Sequence, residues 1–257
     1  MGIDYTTVTE VPGDRVTQEQ LERMFHRYCF AVNFSKGKDI LEVACGAGQG
    51  LGYLARRGRK VFAGDYTERL IKEAKRYYKE RVPLLRLDAH FLPFMDHCFD
   101  VVIFYEALYY LAEPEIFIQE AYRVLREGGV LLIASVNKDW SEFNPSPFST
   151  HYFSVPELGH LIERNGFRVE FFGAFSAVPR TMKGKIISAI RKFAIAFHLI
   201  PKTMKGKEFL KKVFYGDLVP LKEEIEEDMY EYLTPVPLPS HIPSFDYKVI
   251  YTVARVI

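Results

Sequence analysis

Cysteine is scarce in this chain, and the few that occur form no pattern. Cys29, Cys45 and Cys98 are the only three among 257 residues, and no two of them stand at the spacing of a metal-binding pair. This odd and scattered set argues against a disulfide framework or a zinc site, and it is typical of a reducing compartment. No other cluster of metal-ligating residues is visible, so we expect no bound metal.

Long hydrophobic runs and a strong charge of either sign are also missing. The most apolar stretch, residues 186–200, is too short to span a bilayer and contains Arg191 and Lys192. The first residues have no basic start followed by an apolar core, which argues against a secretory leader. The formal net charge of +1 argues against a general polyanion-binding surface. We expect a soluble, cytoplasmic protein without a transmembrane segment or a nucleic-acid partner.

What the sequence does contain is a regular alternation of apolar runs and helical patterns. Such alternation predicts a parallel sheet covered by helices on both faces. The predicted strands are residues 39–44, 61–65, 84–88, 101–105, 130–135, 167–172 and 247–256. Helices are predicted at residues 51–57, 67–80 and 115–125, and capping boxes at Thr17 with Gln20 and at Ser154 with Glu157 begin two more.

Small and acidic residues follow the first three predicted strands. Glycines 46, 48 and 50 come after the first strand, Asp65 ends the second and Asp88 ends the third. In a doubly wound sheet, ligands bind beyond the carboxyl ends of the strands, and glycine lets a ligand approach the backbone. Asp65 is placed to accept hydrogen bonds from ribose hydroxyls, and Asp88 from an adenine amino group. Each residue alone also fits a tight turn or a solvated strand end, but their order favours a nucleoside-like ligand.

The same stretch closely resembles the class I S-adenosylmethionine-dependent methyltransferases. The matching motifs are Leu41-Glu42-Val43-Ala44-Cys45-Gly46-Ala47-Gly48-Gln49-Gly50, Gly64-Asp65-Tyr66, Asp88-Ala89, Leu92-Pro93-Phe94, Phe99-Asp100-Val101-Val102 and Leu125-Arg126-Glu127-Gly128-Gly129. The resemblance implies an α/β, doubly wound, Rossmann-like fold with a seven-stranded sheet whose last strand runs antiparallel. It also implies S-adenosylmethionine as the cofactor. The cofactor-binding residues that it implies are Glu42, Gly46, Ala47, Gly48 and Gly50 at the methionine end, Asp65 at the ribose, Tyr66, Asp88 and Ala89 at the adenine, and Tyr105 at the end of the fourth strand.

A nicotinamide-dinucleotide enzyme is the rival interpretation, because it also pairs a glycine loop with an acid on the second strand. That fingerprint requires glycine at 46, 48 and 51, whereas position 51 is Leu. In addition, Glu42 stands just ahead of the loop, where a carboxylate would repel a pyrophosphate and attract an amino group. The methyltransferase interpretation is favoured.

The residues after the fourth strand bear on the methyl acceptor. Residues 104–110 contain neither the Asn/Asp-Pro-Pro-aromatic motif of enzymes that methylate base amino groups nor the Pro-Cys pair of cytosine C5 enzymes. The stretch resembles instead the branch that acts on small metabolites, lipids and sugars. If the acceptor is a hydroxyl, a base must remove its proton, and Glu106 and His151 are the candidates. Glu106 could equally pair with a helix N-terminus or the cofactor, and His151 could be a surface histidine.

We divide the chain into an N-terminal helical cap at residues 1–36, a cofactor-binding core at 37–175, an insert at 176–246 and a last core strand at 247–257. The insert is predicted to be a lid that binds the substrate. Between residues 180 and 212 it has ten Lys or Arg residues against the single acid Glu208. This basic stretch indicates an anionic acceptor, such as a nucleotide-linked or lipid-linked sugar, or contact with an acidic membrane surface. A solvated helix face is the plainer alternative.

The sequence as a whole therefore predicts methyl transfer from S-adenosylmethionine to a small molecule. A hydroxyl of a saccharide or a related metabolite is the favoured acceptor. Two alternatives stay open: an N-methyltransferase or lipid/quinone methyltransferase, and a non-catalytic cofactor-binding subunit.

Overall fold

The alternating pattern forms a mixed sheet in the computed structural model, which describes residues 4–178, 186, 187, 190 and 217–257. The strands within these residues are β1 (Arg15–Val16), β2 (Asp39–Val43), β3 (Lys60–Asp65), β4 (Leu84–Arg86), β5 (Phe99–Tyr105), β6 (Leu125–Val136), β7 (Phe167–Ser176), β8 (Val219–Pro220), β9 (Val236–Leu238) and β10 (Tyr247–Val256). The α-helices are α1 (Gln18–Ser35), α2 (Leu51–Ala55), α3 (Glu68–Tyr78), α4 (Pro114–Val124) and α5 (Val155–Glu163).

The sheet has the order β4-β3-β2-β5-β6-β10-β7-β9. The five neighbouring strands β4, β3, β2, β5 and β6 are parallel to one another. Strand β10 runs antiparallel to both of its neighbours, β6 and β7. The predicted Rossmann-like fold with an antiparallel last strand is thus confirmed. The short strand β9, which pairs antiparallel with β7, adds an eighth strand at the edge.

Apolar residues on the two faces of the sheet fill two separate cores. Along β5, Val101, Ile103 and Tyr105 join the core beneath α1, α2 and α3. Val102 and Phe104 join the core beneath α4 and α5. Successive strand residues point to opposite faces, so one continuous apolar strand supplies both cores.

Local sequence signals set most of the element boundaries. The capping boxes at Thr17 and Ser154 both form, and each begins its helix. The main difference lies in β6, which begins at Leu125 and not at residue 130. The register with β5 jumps from Leu125 to Val130, and Gly128 adopts a φ of +68° between them. The two glycines therefore lie in an irregularity inside the strand.

Both ends of the insert lie at the carboxyl edge of the sheet, where Ser176 pairs with Tyr247. Most of the basic stretch, residues 180–212, falls outside the described residues, so its prediction as a lid remains a prediction. The described part from residue 217 onward contributes β8, which pairs with β1, and β9. Across the described ranges, no helix is long and apolar enough to cross a membrane.

Candidate active site

A cavity of about 580 Å³ opens at the carboxyl ends of β2, β3 and β5. Its floor includes Glu42, Gly46, Asp65, Asp88, Ala89, Tyr105 and Glu106, and its walls include Tyr66, Tyr109, Tyr110, Ser146 and Thr150. Residues of α1 and of the segment before it complete the lining: Tyr5, Val8, Thr9, Glu10, Gln20, Arg23, Met24, Arg27 and Tyr28. The structure therefore brings most of the predicted cofactor-binding residues together.

The three glycines after β2 have different roles. Gly46 lines the cavity and has a φ of +59°. Gly48 has a φ of +88°, and a Cβ there would lie 3.0 Å from the Tyr78 ring. A Cβ at Gly50 would lie 1.9 Å from Tyr28 Cζ. Gly46 therefore faces the ligand space, whereas Ala47, Gly48 and Gly50 are not part of the cavity lining. Gly48 and Gly50 instead permit a tight turn and close packing against the two tyrosine rings.

Asp65 is held by backbone donors at the end of β3. Its Oδ2 accepts from Gly46 N at 2.9 Å and its Oδ1 from Thr67 N at 2.8 Å. Burial raises the pKa of this carboxyl, while these hydrogen bonds act in the opposite direction. Each oxygen keeps a second lone pair, so Asp65 can still accept hydrogen bonds from a vicinal diol.

Glu42 is the most deeply buried acid of the cavity, with 1% of its surface exposed. The Tyr28 hydroxyl donates to its Oε1 at 2.6 Å. Its Oε2 has no hydrogen-bond partner among the described residues. Burial raises the pKa of Glu42 to about 7. A buried acceptor without a donor is a costly arrangement, and a ligand amino group at this position would satisfy it.

Two arginines of α1, which were not among the predicted site residues, also reach the cavity. Arg23 Nε and Arg27 Nε are buried and find no acceptor within the described part of the chain. The hydroxyl of Tyr105, which is 5% exposed, is likewise buried without a described partner, and burial raises the pKa of Tyr105 well above its usual value. Cationic donors beside the acidic Glu42 fit the paired amino and carboxylate groups of an amino acid.

The residues predicted for the adenine lie at the opposite end of the cavity. Asp88 Oδ1 accepts from the backbone N–H of His90 at 2.9 Å and lies 2.7 Å from His90 Nδ1. Ala89 and Tyr66 line the same end. His90 is a third cavity residue that was not predicted from the sequence, because a single histidine after a strand carries no distinctive signal.

The two candidate bases have different surroundings. Glu106 lines the cavity, and the Tyr109 hydroxyl donates to its Oε2 at 3.1 Å. Burial raises the pKa of Glu106 above its ordinary value. Its φ of +54° is a conformation that non-glycine residues seldom adopt, and such residues cluster at functional sites. His151 is exposed, packs its ring against Phe153 at 4.5 Å between centroids, and is not part of the cavity lining.

Aromatic rings form one continuous wall beside Glu106. The rings of Tyr109 and Tyr110 lie 4.6 Å apart, and Tyr109 stacks on Tyr152 at 4.2 Å. Tyr110 Oη and Ser146 Oγ are 2.6 Å apart, and Ser146 N donates to Tyr152 Oη at 3.1 Å. The wall thus combines flat apolar ring faces with hydroxyl groups. Elsewhere in the described ranges, as here, no group of three or more His, Cys, Asp or Glu residues could hold a metal ion.

Comparisons with known proteins agree with this geometry. The model of the methyltransferase domain family matches residues 41–133, which contain the glycine loop, Asp65, Asp88 and Glu106. A protein of Mycolicibacterium smegmatis named as a probable S-adenosylmethionine-dependent methyltransferase is 33% identical over 172 residues, or 62% of this chain. The phthiotriol/phenolphthiotriol dimycocerosates methyltransferase of Mycobacterium leprae is 39% identical over 119 residues, or 44% of this chain.

These matches cover 66% and 43% of the two relatives, so the chain spans no more than about two thirds of the curated relatives that it matches. Among solved structures, the YcgJ protein of Bacillus subtilis aligns with a TM-score of 0.59 and 16% identity. That alignment covers 90% of this chain and 98% of YcgJ. The structural likeness supports the fold, and the sequence relatives support the family.

Proposed function

We propose that this chain, which belongs to the class I S-adenosylmethionine-dependent methyltransferases, transfers the methyl group of that cofactor to a small-molecule hydroxyl. One observation carries the proposal: Glu42 Oε2, buried without a described partner, lies in the same cavity as Asp65, whose oxygens retain acceptor capacity. An amino group at one end and a ribose diol in the middle would satisfy these acceptors. Both groups belong to S-adenosylmethionine.

The chain's residues fit this cofactor along its whole length. Glu42 would accept from the amino group, and Arg27, with its buried Nε, would donate to the carboxylate. Asp65 would accept from the ribose hydroxyls, while Asp88 and Tyr66 would hold the adenine. When bound, S-adenosylmethionine supplies an electrophilic methyl group on its sulfonium. What the protein then contributes is alignment of the acceptor and removal of its proton.

Glu106 is the residue that we propose for proton removal. Its carboxyl lies in the cavity beside Tyr109, whose hydroxyl occupies Oε2. Oε1 would then accept the proton of the acceptor hydroxyl. Burial raises the pKa of Glu106, and a base whose pKa is closer to neutrality is a better catalyst at neutral pH. The exposed position of His151 favours Glu106 over His151.

The aromatic wall supports a saccharide or a related polyhydroxylated metabolite as the acceptor. Ring faces of Tyr109 and Tyr110 can pack on the C–H faces of a sugar, while Ser146 and Thr150 offer hydroxyls for hydrogen bonding. A lipid hydroxyl is the second candidate, and the name of the M. leprae relative favours it. The basic stretch of the insert, most of which is outside the described residues, suits an anionic acceptor or an acidic membrane surface in either case. A cytoplasmic location remains a prediction from the sequence.

Calorimetry tests the cofactor part of the proposal. S-adenosylmethionine and S-adenosylhomocysteine should bind without added metal, and NAD should not. Asp65→Ala removes hydrogen bonds to a charged acceptor, each worth about 1.5–3 kcal/mol, and should weaken binding at least tenfold. An unchanged dissociation constant in a folded Asp65→Ala variant contradicts the ribose role.

A mass-detected methylation screen over sugar nucleotides, lipids and phenols then separates the two acceptor classes. No methylation despite cofactor binding would favour the non-catalytic alternative.

A further inference from the structure

The side of the cavity opposite the carboxyl ends of the strands is formed by a segment that is not part of the sheet. We call residues 4–10 the roof. The Tyr5 ring lies 5.1 Å from the Tyr110 ring and 6.3 Å from the Tyr66 ring, so it lies between the aromatic wall and the adenine end of the cavity. A Cβ at Gly46 would lie 3.3 Å from Thr9 Cγ2, which places the roof directly above the glycine loop.

The roof has little of its own to keep it in place. None of residues 4–14 is buried, and the first buried side chain of the chain's described part is Val16 at 1% exposure. Among the described residues, Glu10 connects the roof to the rest of the site: Gln49 Nε2 donates to Glu10 O at 2.9 Å, and Gln20 Nε2 donates to Glu10 Oε1. Ordering a segment without apolar burial is unfavourable unless another element fixes its ends.

That element is the part of the insert that returns to the core, residues 217–221, which we call the return arm. Gly13 N donates to Leu221 O at 2.9 Å, and Leu221 N donates to Asp14 O at 2.8 Å. Strands β1 and β8 pair Val16 with Val219, and Arg15 Nη2 donates to Leu218 O. The return arm is therefore bonded to the chain just after the roof on both backbone and side-chain atoms.

The return arm is anchored where the roof is not. Leu218 and Leu221 are 4% and 3% exposed, and Leu221 belongs to the core beneath α1. Burial of apolar side chains is the dominant stabilising contribution in a fold, so these two leucines fix the position of the return arm. Through its bonds to residues 13–16, the arm can in turn restrict the position of the roof. None of the described residues of the insert lines the cavity.

We propose that the return arm positions the roof over the bound cofactor, so that insert residues 218–221 and Arg15 determine the affinity for S-adenosylmethionine without touching it. The proposal rests on the proposed function, because it requires that the cavity binds this cofactor. Binding and arm attachment are then linked, and each must strengthen the other by the same factor.

The test uses Arg15→Gln in the full chain, which removes the side-chain donor to Leu218 O. The dissociation constant for S-adenosylmethionine should rise between about threefold and tenfold, the range expected for one lost hydrogen bond. The Michaelis constant for S-adenosylmethionine should rise by the same factor with an unchanged kcat. Arg15→Lys keeps a cationic donor and should restore part of the affinity. Arg59→Gln, which removes another exposed arginine just before β3, is the matched control and should have no effect on cofactor binding.

A double-mutant cycle shows whether the arm acts through the roof. Tyr5→Ala weakens the roof itself, so adding Arg15→Gln to it should cost less than Arg15→Gln costs alone. Amide exchange in residues 217–225 should slow when S-adenosylmethionine is added. The inference is overturned if wild-type protein binds the cofactor and Arg15→Gln binds it equally well, or if the two substitutions are additive. Absence of binding by the wild-type protein would instead contradict the proposed function.

Discussion

At the scale of single residues, Glu42 makes cofactor binding dependent on pH. Burial raises its pKa to about 7, so the carboxyl is mostly neutral below that value and mostly charged above it. A ligand amino group is attracted only to the charged form. The dissociation constant for S-adenosylmethionine should therefore fall as the pH rises from about 6 to about 8. Calorimetry across this range measures it, and Glu42→Gln should bind more weakly with a flatter pH profile.

The same carboxyl should reduce the stability of the ligand-free protein at alkaline pH. The pKa of Glu42 is raised from 4.5 to about 7 in the folded state, so the contribution of its neutral form to stability is present below pH 4.5 and is lost as the pH rises through 7. One pKa unit corresponds to about 1.4 kcal/mol, so Glu42→Gln should increase the free energy of unfolding by about 3–4 kcal/mol at about pH 8. Urea unfolding at pH 8 and pH 5 measures it. An equal effect at the two pH values would contradict the burial argument.

Glu106 and His151 can be separated by their kinetics. If Glu106 removes the acceptor proton, Glu106→Gln should lower kcat by roughly 10²–10⁴-fold, and cofactor affinity should change little. His151 is exposed outside the cavity, so His151→Gln should change kcat only slightly. Steady-state kinetics with an acceptor that the wild-type protein methylates measures kcat for both variants. A loss of cofactor affinity in Glu106→Gln would indicate a binding role, and full activity in both variants would leave alignment of the acceptor as the only contribution.

At the scale of helices and strands, the elements that the sequence predicts correctly are those whose signal lies within a few neighbouring residues. The capping boxes of α1 and α5 involve residues three apart in sequence, and both were predicted correctly. The roof was not predicted, because residues 4–14 have neither apolar periodicity nor buried side chains. Arg23 and Arg27 were missed for a related reason. On an amphipathic helix, a polar residue that faces a cavity has the same spacing as one that faces solvent.

Glycines in these elements offer a test of local packing. In Gly50→Ala the new Cβ would lie 1.9 Å from the Tyr28 ring, whose hydroxyl holds Glu42. Overpacking of this kind should lower the free energy of unfolding by about 1–3 kcal/mol and weaken cofactor binding. Gly159 lies within α5, where the nearest atom to a Cβ is 3.4 Å away, so Gly159→Ala should instead raise stability by about 0.5–1 kcal/mol. Denaturant unfolding of the two variants should give opposite signs, and a stabilised Gly50→Ala would reject the packing role.

At the scale of the whole molecule, we propose that the cofactor and the acceptor are recognised by different parts of the chain. The residues that fit S-adenosylmethionine lie on α1, on β2, β3 and β5, and just after β3 and β4. The insert follows β7, which ends at Ser176, and precedes β10, which begins at Tyr247, and these two residues pair at the carboxyl edge of the sheet. Most of the basic stretch, residues 180–212, is outside the described residues. Its position in the sequence nevertheless places ten positive charges in a segment that begins and ends at this edge.

If the basic stretch binds an anionic group of the acceptor, changing Lys202, Lys205 and Lys207 to Gln should raise the Michaelis constant for the acceptor. The wild-type rate at low acceptor concentration should also fall with added salt, because exposed charges are screened over about 8 Å at physiological ionic strength. The affinity for S-adenosylmethionine should not change, since these lysines precede the return arm and leave its bonds to residues 13–16 intact. Unaltered acceptor kinetics together with no salt dependence would mean that the three lysines belong to a solvated surface. A loss of cofactor affinity would mean that the three lysines, like the return arm, contribute to S-adenosylmethionine binding.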